Sequence, residues 1–187
     1  MPNRLMRNAL VACLFLACTA QTPAPTPWCA SIPLPQADLG SVSLDGRSIH
    51  EPRPVDCRAL EVRAGTHTLR LAVASTPAQR QHGLMNVPFV PTGQGMLFAY
   101  PGATDDKRDF WMKDTITPLD MIFVKNDGTI SEIAANVPAT KPGTLDEQVA
   151  RRDGIARYVI ELGAGEAARL GLAQGGRLYI PSSIPGE

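Results

Sequence analysis

A short stretch of aromatic, basic and acidic residues holds most of the sequence's capacity for chemistry. Residues 108–120 contain Trp111, Lys113 and Asp120. An indole can stack on a ligand, while an ammonium and a carboxylate can anchor the ligand's polar groups. The stretch therefore predicts a recognition face, with Trp111 as a stacking platform and the two charged residues as anchors.

Strand geometry divides the same stretch into two faces. Alternate side chains of a strand point in opposite directions, so Phe110 and Met112 share one face. Trp111 and Lys113 share the other. We expect the first face to belong to the core, which leaves an indole beside an ammonium on the second.

Three acids point to a different class of function. Asp114, Asp120 and Glu161 are candidates for the acid and base of a hydrolase or lyase acting on an envelope polymer. Paired carboxylates about 5–10 Å apart across a groove can cleave glycosidic bonds. Alternatively, Asp114 or Asp120 pairs with Lys113 across a turn, Trp111 covers the end of the core, and the motif only packs. No phosphate loop, nucleophile elbow or zinc-protease motif is present, and no catalytic residue is assigned.

Methionines suggest a further, lesser hypothesis. Beyond the N-terminal region, all of them fall between residues 85 and 121, near His82 and Trp111; they are Met85, Met96, Met112 and Met121. Thioethers can hold Cu(I). Methionine also fills irregular cores. The sequence assigns no metal ligands and no cofactor, so periplasmic Cu(I) binding stays an alternative.

The N-terminus has the pattern of an export signal. Arg4 and Arg7 precede an apolar run over residues 9–17, which spans about 14 Å as a helix and is too short for a hydrocarbon core of about 30 Å. Residues 1–18 are therefore predicted to be a signal peptide. Acylation at Cys18 would make the protein a lipoprotein, whereas cleavage after Ala20 would release it.

Export also decides how the remaining cysteines are interpreted. Cys29 and Cys57 are left as an even pair in an oxidising compartment, which predicts a disulfide. Closing that loop would stabilise the fold by roughly 3–4 kcal/mol. Residues 19–37 are rich in proline and are predicted to be a semi-stiff tether. Residues 38–68 are predicted to form an N-terminal elaboration that carries the disulfide.

Composition and periodicity together predict a mainly β domain. The 187 residues carry zero formal net charge and are 44% hydrophobic, which argues against nucleic acid as a partner and excludes wholesale disorder. Apolar alternation predicts strands, most clearly over residues 67–74. Thr76 and Pro77 predict the start of a short helix ending near Gly83. About eight short strands with two small helices indicate a β-sandwich or a partly closed, jelly-roll-like barrel.

Four blocks in order resemble the bacterial and archaeal family called domain of unknown function 192 (DUF192). They are Arg80-x-x-Gly83-Leu84-Met85, Gly95-Met96-Leu97-Phe98, Phe110-Trp111-Met112-Lys113-x-Thr115-x-x-Pro118-Leu119-Asp120, and Ile160-Glu161-Leu162-x-Ala164-Gly165. The resemblance covers about residues 69–180, within a predicted β-domain of residues 69–182, and implies a small sandwich-type β fold without an established activity. The slot at Asp114 is usually Asn in the family, which argues against a finely tuned acid there.

The residues and the resemblance lead to one expected function. Candidate ligand-binding residues are Arg80, Met85, Trp111, Lys113 and Asp120. We expect an exported, membrane-tethered binding or accessory module of the bacterial cell envelope, in the periplasm or on the outer envelope. Its partner would be a small molecule, a polymer or an envelope protein. Contact with the membrane would occur only through the lipid anchor.

Overall fold

A computed structural model describes residues 56–184 of the chain, and this part is mainly β, as the sequence predicts. The described residues contain nine strands, two short helices and a 3-10 turn at Asp146–Gln148. The strands are β1 (Asp56–Ala64), β2 (His67–Ala74), β3 (Gln94–Ala99), β4 (Asp106–Trp111), β5 (Leu119–Val124), β6 (Ile130–Val137), β7 (Arg151–Ala156), β8 (Tyr158–Gly163) and β9 (Leu178–Tyr179). The helices are α1 (Pro77–His82) and α2 (Glu166–Arg169). The predicted signal peptide, Cys18, the tether and Cys29 all lie outside the described residues.

Seven strands form one sheet in the order β6-β5-β8-β3-β2-β1-β9, which curls into a half-barrel. Its pairs are antiparallel except for β2 and β3, which run parallel. A parallel connection needs a crossover, and α1 lies in that crossover. Strands β4 and β7 form a separate two-stranded ribbon.

Apolar side chains pack on both faces of the curled sheet. Along β5, Met121 and Phe123 belong to one buried cluster, whereas Ile122 and Val124 belong to a second. Since successive strand residues point to opposite faces, the two clusters lie on opposite sides of the sheet. The first cluster includes Phe110 of β4, so the ribbon covers that side of the sheet.

The ribbon contains a strand that hydrophobic alternation does not predict. Strand β7 begins with Arg151, Arg152 and Asp153, all exposed, so its sequence lacks the apolar period of a half-buried strand. Pairing with β4 along its whole length holds it in place. A Cβ added at Gly154 would lie 2.6 Å from Cγ of Phe123, so glycine is needed where the ribbon crosses β5.

The structure also moves the predicted N-terminal boundary of the domain. Strand β1 lies within the predicted elaboration of residues 38–68, yet it pairs with β2 in the main sheet. A hairpin turn at Gly65, with φ of +60°, joins the two strands. The part of this segment from Asp56 onward is therefore an integral strand of the sheet, because its apolar residues Leu60 and Val62 pack in the core.

Within residues 56–184, none of the helices has the length and apolar character needed to cross a membrane.

Candidate functional site

A concave pocket of about 240 Å³ lies between the α1 region and strand β4. One side comprises α1 and the residues after it as far as Met85. The other side comprises the end of β4 and Lys113. Two buried residues, Phe98 of β3 and Glu161 of β8, also line it. We call this cavity the Trp111 pocket, after the indole on its β4 side.

The Trp111 pocket brings together four of the five residues that the sequence nominates for ligand binding. Arg80, Met85, Trp111 and Lys113 all line it. The fifth, Asp120, does not. The predicted recognition face therefore becomes a concavity rather than a flat surface, with α1 supplying the side opposite the indole.

Local sequence signals position the α1 side of the pocket. The hydroxyl of Thr76 accepts a hydrogen bond from the backbone N–H of Gln79, and the Gln79 side chain accepts one from the backbone N–H of Thr76, which completes a capping box. The helix ends at Gly83, where φ is +50° and an added Cβ would lie 3.1 Å from Cζ of Phe98. Glycine thus lets the chain turn tightly against the core and carry Met85 into the pocket wall.

Alternation along β4 positions the opposite side. Phe110 and Met112 are buried, while Trp111 and Lys113 are partly exposed, as the strand period predicts. The guanidinium carbon of Arg151 lies 4.9 Å from the centroid of the Trp111 ring, so the indole is braced from β7. Because β7 pairs with β4, the ribbon fixes the orientation of this ring.

The lysine pairs with an acid that the sequence does not nominate. Lys113 Nζ donates to the carboxylate of Asp146, in the 3-10 turn before β7. The partners expected from sequence proximity, Asp114 and Asp120, are not used for this ion pair. Asp146 is far along the chain, and pairing of β4 with β7 brings it near.

Arg80 is fixed by backbone carbonyls and by an aromatic ring. Its Nη1 donates to the carbonyl oxygens of Ser75 and Ala99, the latter at 2.9 Å. Its guanidinium carbon lies 4.7 Å from the Tyr100 ring centroid, and that of Arg108 lies 3.9 Å from the same centroid. Burial lowers the pKa of Arg80 from its usual value, and the neighbouring Arg108 charge lowers it further, against the opposing influence of Tyr100.

Glu161 is an acid of the pocket whose pKa is strongly raised. Its residue is 4% exposed, and among the described residues no side chain or backbone group forms a hydrogen bond or ion pair with its carboxyl group. In the sheet it lies opposite Met96 of β3 and Met121 of β5. Burial alone raises the pKa of Glu161 to about 8. The carboxyl group therefore keeps its proton at neutral pH and can donate a hydrogen bond as well as accept one.

Asp120 forms hydrogen bonds within the fold and does not line the Trp111 pocket. It is fully buried, and its carboxylate accepts hydrogen bonds from the backbone N–H groups of Asn136 at 2.7 Å and Ala167 at 2.8 Å. Ala167 lies in the first turn of α2. Asp120 therefore joins β5 to β6 and α2, and it presents no free oxygen to a ligand in the Trp111 pocket.

Asp114 is an exposed turn residue outside the pocket. Its φ of +51° is in the left-handed region, which Asn, Asp and Gly tolerate best. Its carbonyl oxygen accepts a hydrogen bond from the backbone N–H of Asn86, which also has positive φ. The left-handed backbone conformation thus explains why either Asn or Asp can occupy this position.

Three of the four methionines considered for copper lie in the hydrophobic core. Met96, Met112 and Met121 are fully buried among apolar side chains, and only Met85 lines the pocket with His82. Within residues 56–184, no three His, Cys, Asp or Glu residues cluster closely enough to hold a metal ion.

Tyr100, Asp109 and Phe98 also line the pocket, and the sequence did not nominate them for ligand binding. Tyr100 carries no local signal. Phe98 stands in the second of the four blocks, but an apolar aromatic residue there usually packs in a core. Glu161 carries a local signal, since an acid between Ile160 and Leu162 interrupts an apolar strand. Such an acid is buried unless the strand lies at an edge.

The chain is similar to a family of unknown function and to two solved structures. A family described as an uncharacterised ACR, DUF192, matches residues 59–180. A proposed transcription regulator from Sinorhizobium meliloti 1021 is 33% identical, with a TM-score of 0.55, over 65% of this chain and 91% of its own. A protein of unknown function from Novosphingobium aromaticivorans is 31% identical, with a TM-score of 0.54, over 71% and 91%. No curated protein matches the chain.

Proposed function

Since the chain belongs to the uncharacterised DUF192 family, we propose its function from the Trp111 pocket: a small-molecule-binding module of the cell envelope. The match starts at residue 59, ten residues before the boundary that the four blocks suggest, and includes most of β1. The proposal concerns binding by this domain and its tethering outside the cytoplasm.

One observation carries the binding proposal. Each of the four blocks by which the chain resembles the family places a side chain in the same cavity, through Arg80, Phe98, Trp111 and Glu161. These residues come from different elements of the fold. Packing alone does not require four such blocks to meet around an open space, because close-packed cores leave few voids.

The character of the lining supports a small ligand of mixed polarity. Phe98 and Trp111 offer apolar surface, whereas Arg80, Lys113 and Glu161 offer polar groups. Small-molecule sites combine apolar walls with a few placed polar groups in this way. At about 240 Å³ the cavity is smaller than the roughly 300–1,000 Å³ of most ligand pockets, so the ligand, or the part of it that enters, is small.

Export and lipidation complete the proposal, and they rest on the N-terminal sequence. A basic and apolar segment followed by Cys18 and a proline-rich tether suits a domain held near a membrane surface. We expect labelled palmitate to be incorporated into the protein in a bacterial host and to be lost in the Cys18→Ala variant. Labelling that persists in this variant would contradict lipidation at Cys18.

Binding is tested by amide NMR of the domain in the presence of a library of small organic fragments. We expect the fragments that bind to shift the resonances of Met85, Lys113 and Glu161 together, because all three line the pocket. The same fragments should bind the Arg152→Gln variant equally well, since Arg152 lies on β7 outside the pocket. The proposal would be contradicted if no fragment shifted these resonances together, or if the shifted resonances were scattered outside the pocket.

A hydrolase is the second candidate, and one observation favours it. Asp109 lines the same pocket as Glu161 and is exposed, with Lys107 Nζ 3.4 Å from its carboxylate. A protonated buried acid and an exposed carboxylate in one pocket are a pattern of acid and base catalysis. Release of soluble fragments from purified cell-wall polymer, abolished in both Glu161→Gln and Asp109→Asn, would establish this function. No release by the parent protein would exclude that substrate.

A further inference from the structure

The guanidinium of Arg80 has an edge without a protein partner. Arginine carries five N–H donors. Both hydrogen bonds of the Arg80 guanidinium are made by Nη1, to Ser75 and Ala99, and its face rests on the Tyr100 ring. No group among residues 56–184 accepts a hydrogen bond from Nε or Nη2. A guanidinium held in this way is oriented in advance and still has donors for a planar acceptor.

The Glu161 carboxyl lines the same pocket as Arg80. Burial is the main cause that raises the pKa of the Tyr100 phenol, and the charges of Arg80, Arg108 and Glu161 act on it as well. Arg80 and Glu161 therefore both lie within electrostatic reach of one hydroxyl group. Both line the Trp111 pocket, and neither forms an ion pair with the other.

The charge balance of the pocket favours an anion over a cation. Arg80 and Lys113 line it as cations; Lys113 is paired with Asp146, whereas Arg80 forms no ion pair within residues 56–184. Of the two acids that line it, Asp109 is exposed and has Lys107 beside it, while Glu161 is buried and protonated at neutral pH. A cationic ligand would meet a guanidinium and an ammonium. An anionic ligand would meet those cations and a carboxyl group able to donate.

We propose that the ligand of the Trp111 pocket is a small organic carboxylate, bound to the Nε–Nη2 edge of Arg80 and hydrogen-bonded by Glu161, with its apolar body against Phe98 and Trp111. The planar guanidinium edge matches the two oxygens of a carboxylate. This inference rests on the proposed binding function and names its ligand class. A carboxylate bound there would also supply the partner that the buried Glu161 carboxyl lacks.

Proton loss from Glu161 should weaken this binding. The other titratable or charged groups around the pocket are Arg80, His82, Tyr100, Asp109 and Lys113. The pKa values of Tyr100 and Lys113 are both raised above their usual values near 10, so both keep their protons at pH 9. Above pH 8, Glu161 becomes an anion that repels a carboxylate and has no proton to donate. Binding should therefore fall between pH 7 and pH 9.5.

Three probes with one ring and different charges test the ligand class. Benzoate, benzamide and benzylamine are titrated separately into the protein at pH 7, with the amide resonances of Met85, Lys113 and Glu161 followed by NMR. We expect benzoate to bind at least tenfold more tightly than the other two. If benzamide or benzylamine binds as tightly as benzoate, the proposed function stands and the ligand class is wrong. If all three fail to bind, both proposals fail for ligands of this size.

Variants test the two residues individually. Arg80→Lys keeps the charge but not the planar edge, and should weaken benzoate binding about tenfold, whereas Arg152→Gln should leave it unchanged. Glu161→Gln can still donate, so it should bind benzoate at pH 7 and lose little affinity at pH 9.5. The parent protein should lose at least tenfold over that range. If the parent and the Glu161→Gln variant lose the same benzoate affinity between pH 7 and pH 9.5, Glu161 does not bind the ligand as proposed. This comparison does not depend on whether the Arg80 variant folds.

Discussion

The Asp120 carboxylate accepts a hydrogen bond of 2.8 Å from the backbone N–H of Ala167, and thereby joins the motif that contains Trp111 to helix α2. Its other oxygen accepts from the backbone N–H of Asn136 at 2.7 Å. Asp120 is fully buried, so these two bonds replace its hydration. The last acid of the motif thus joins β5 to β6 and α2 rather than binding a ligand.

Loss of the Asp120 carboxylate should destabilise the protein without changing the pocket. Asp120→Ala leaves the buried N–H of Ala167 and the part-buried N–H of Asn136 without this acceptor, and we expect the free energy of unfolding to fall by about 2–4 kcal/mol in urea titrations. Fragment binding to the folded variant should match the parent. Asp114→Asn, in an exposed left-handed turn, is the control and should change stability by under about 0.5 kcal/mol. A stable Asp120→Ala variant that no longer binds would reverse this assignment.

Adjacent aromatic residues of β4 should differ in their contribution to stability. Phe110 is buried, with ring centroids 4.9 Å from Phe98 and 6.0 Å from Phe123 in edge-to-face geometry. Phe110→Ala should cost about 3–5 kcal/mol. Trp111 is partly exposed and contacts Arg151, so Trp111→Ala should cost less than about 2 kcal/mol and still abolish fragment binding. Equal losses in denaturant unfolding would show that Trp111 is mainly a packing residue.

Glu161 should make stability depend on pH in the alkaline direction. Its pKa is about 8 in the folded protein and 4.5 without burial, so between these values the folded state holds a proton that the unfolded chain has released. The free energy of unfolding must then fall as pH rises through this window.

The glutamine side chain of the Glu161→Gln variant cannot ionise, so its free energy of unfolding should not fall with rising pH in this way. At pH 9 we expect it to be more stable than the parent by roughly 2–5 kcal/mol, and at pH 4.5 by much less. Glu132→Gln, which removes an exposed acid from β6, should show no such difference. The measurement is a series of denaturant titrations across pH. If Glu161→Gln and the parent differ by the same amount at both pH values, Glu161 is not protonated by burial.

The cysteine pair predicts a disulfide that the structure does not describe, because Cys29 lies outside residues 56–184. Protein exported by a bacterial host should have Cys29 and Cys57 both blocked to alkylation, by intact mass without reductant. Replacement of both by Ser should cost about 3–4 kcal/mol. Two free thiols in the exported protein would contradict the disulfide.

Much of the strand and helix content follows from local sequence. Alternation over residues 67–74 predicts a strand, and β2 has these bounds because its apolar side chains pack on the sheet faces. Thr76 and Pro77 start α1 as predicted, since capping depends only on nearby backbone groups. Local signals fail at β7, whose exposed charged residues are held by pairing with β4.

For the candidate site, sequence alone determined which residues could do chemistry, through their types and the four blocks. The tertiary structure decided what each one does, because electrostatic roles depend on burial and on partners distant in sequence. It placed the Asp120 carboxylate within hydrogen-bond distance of the α2 backbone and paired Lys113 with Asp146. It also buried Glu161 between β3 and β5, without a hydrogen-bond partner among residues 56–184, in the wall of a pocket that Arg80 shares. A carboxyl group's pKa is set by such surroundings, and neighbouring positions in the chain do not reveal them.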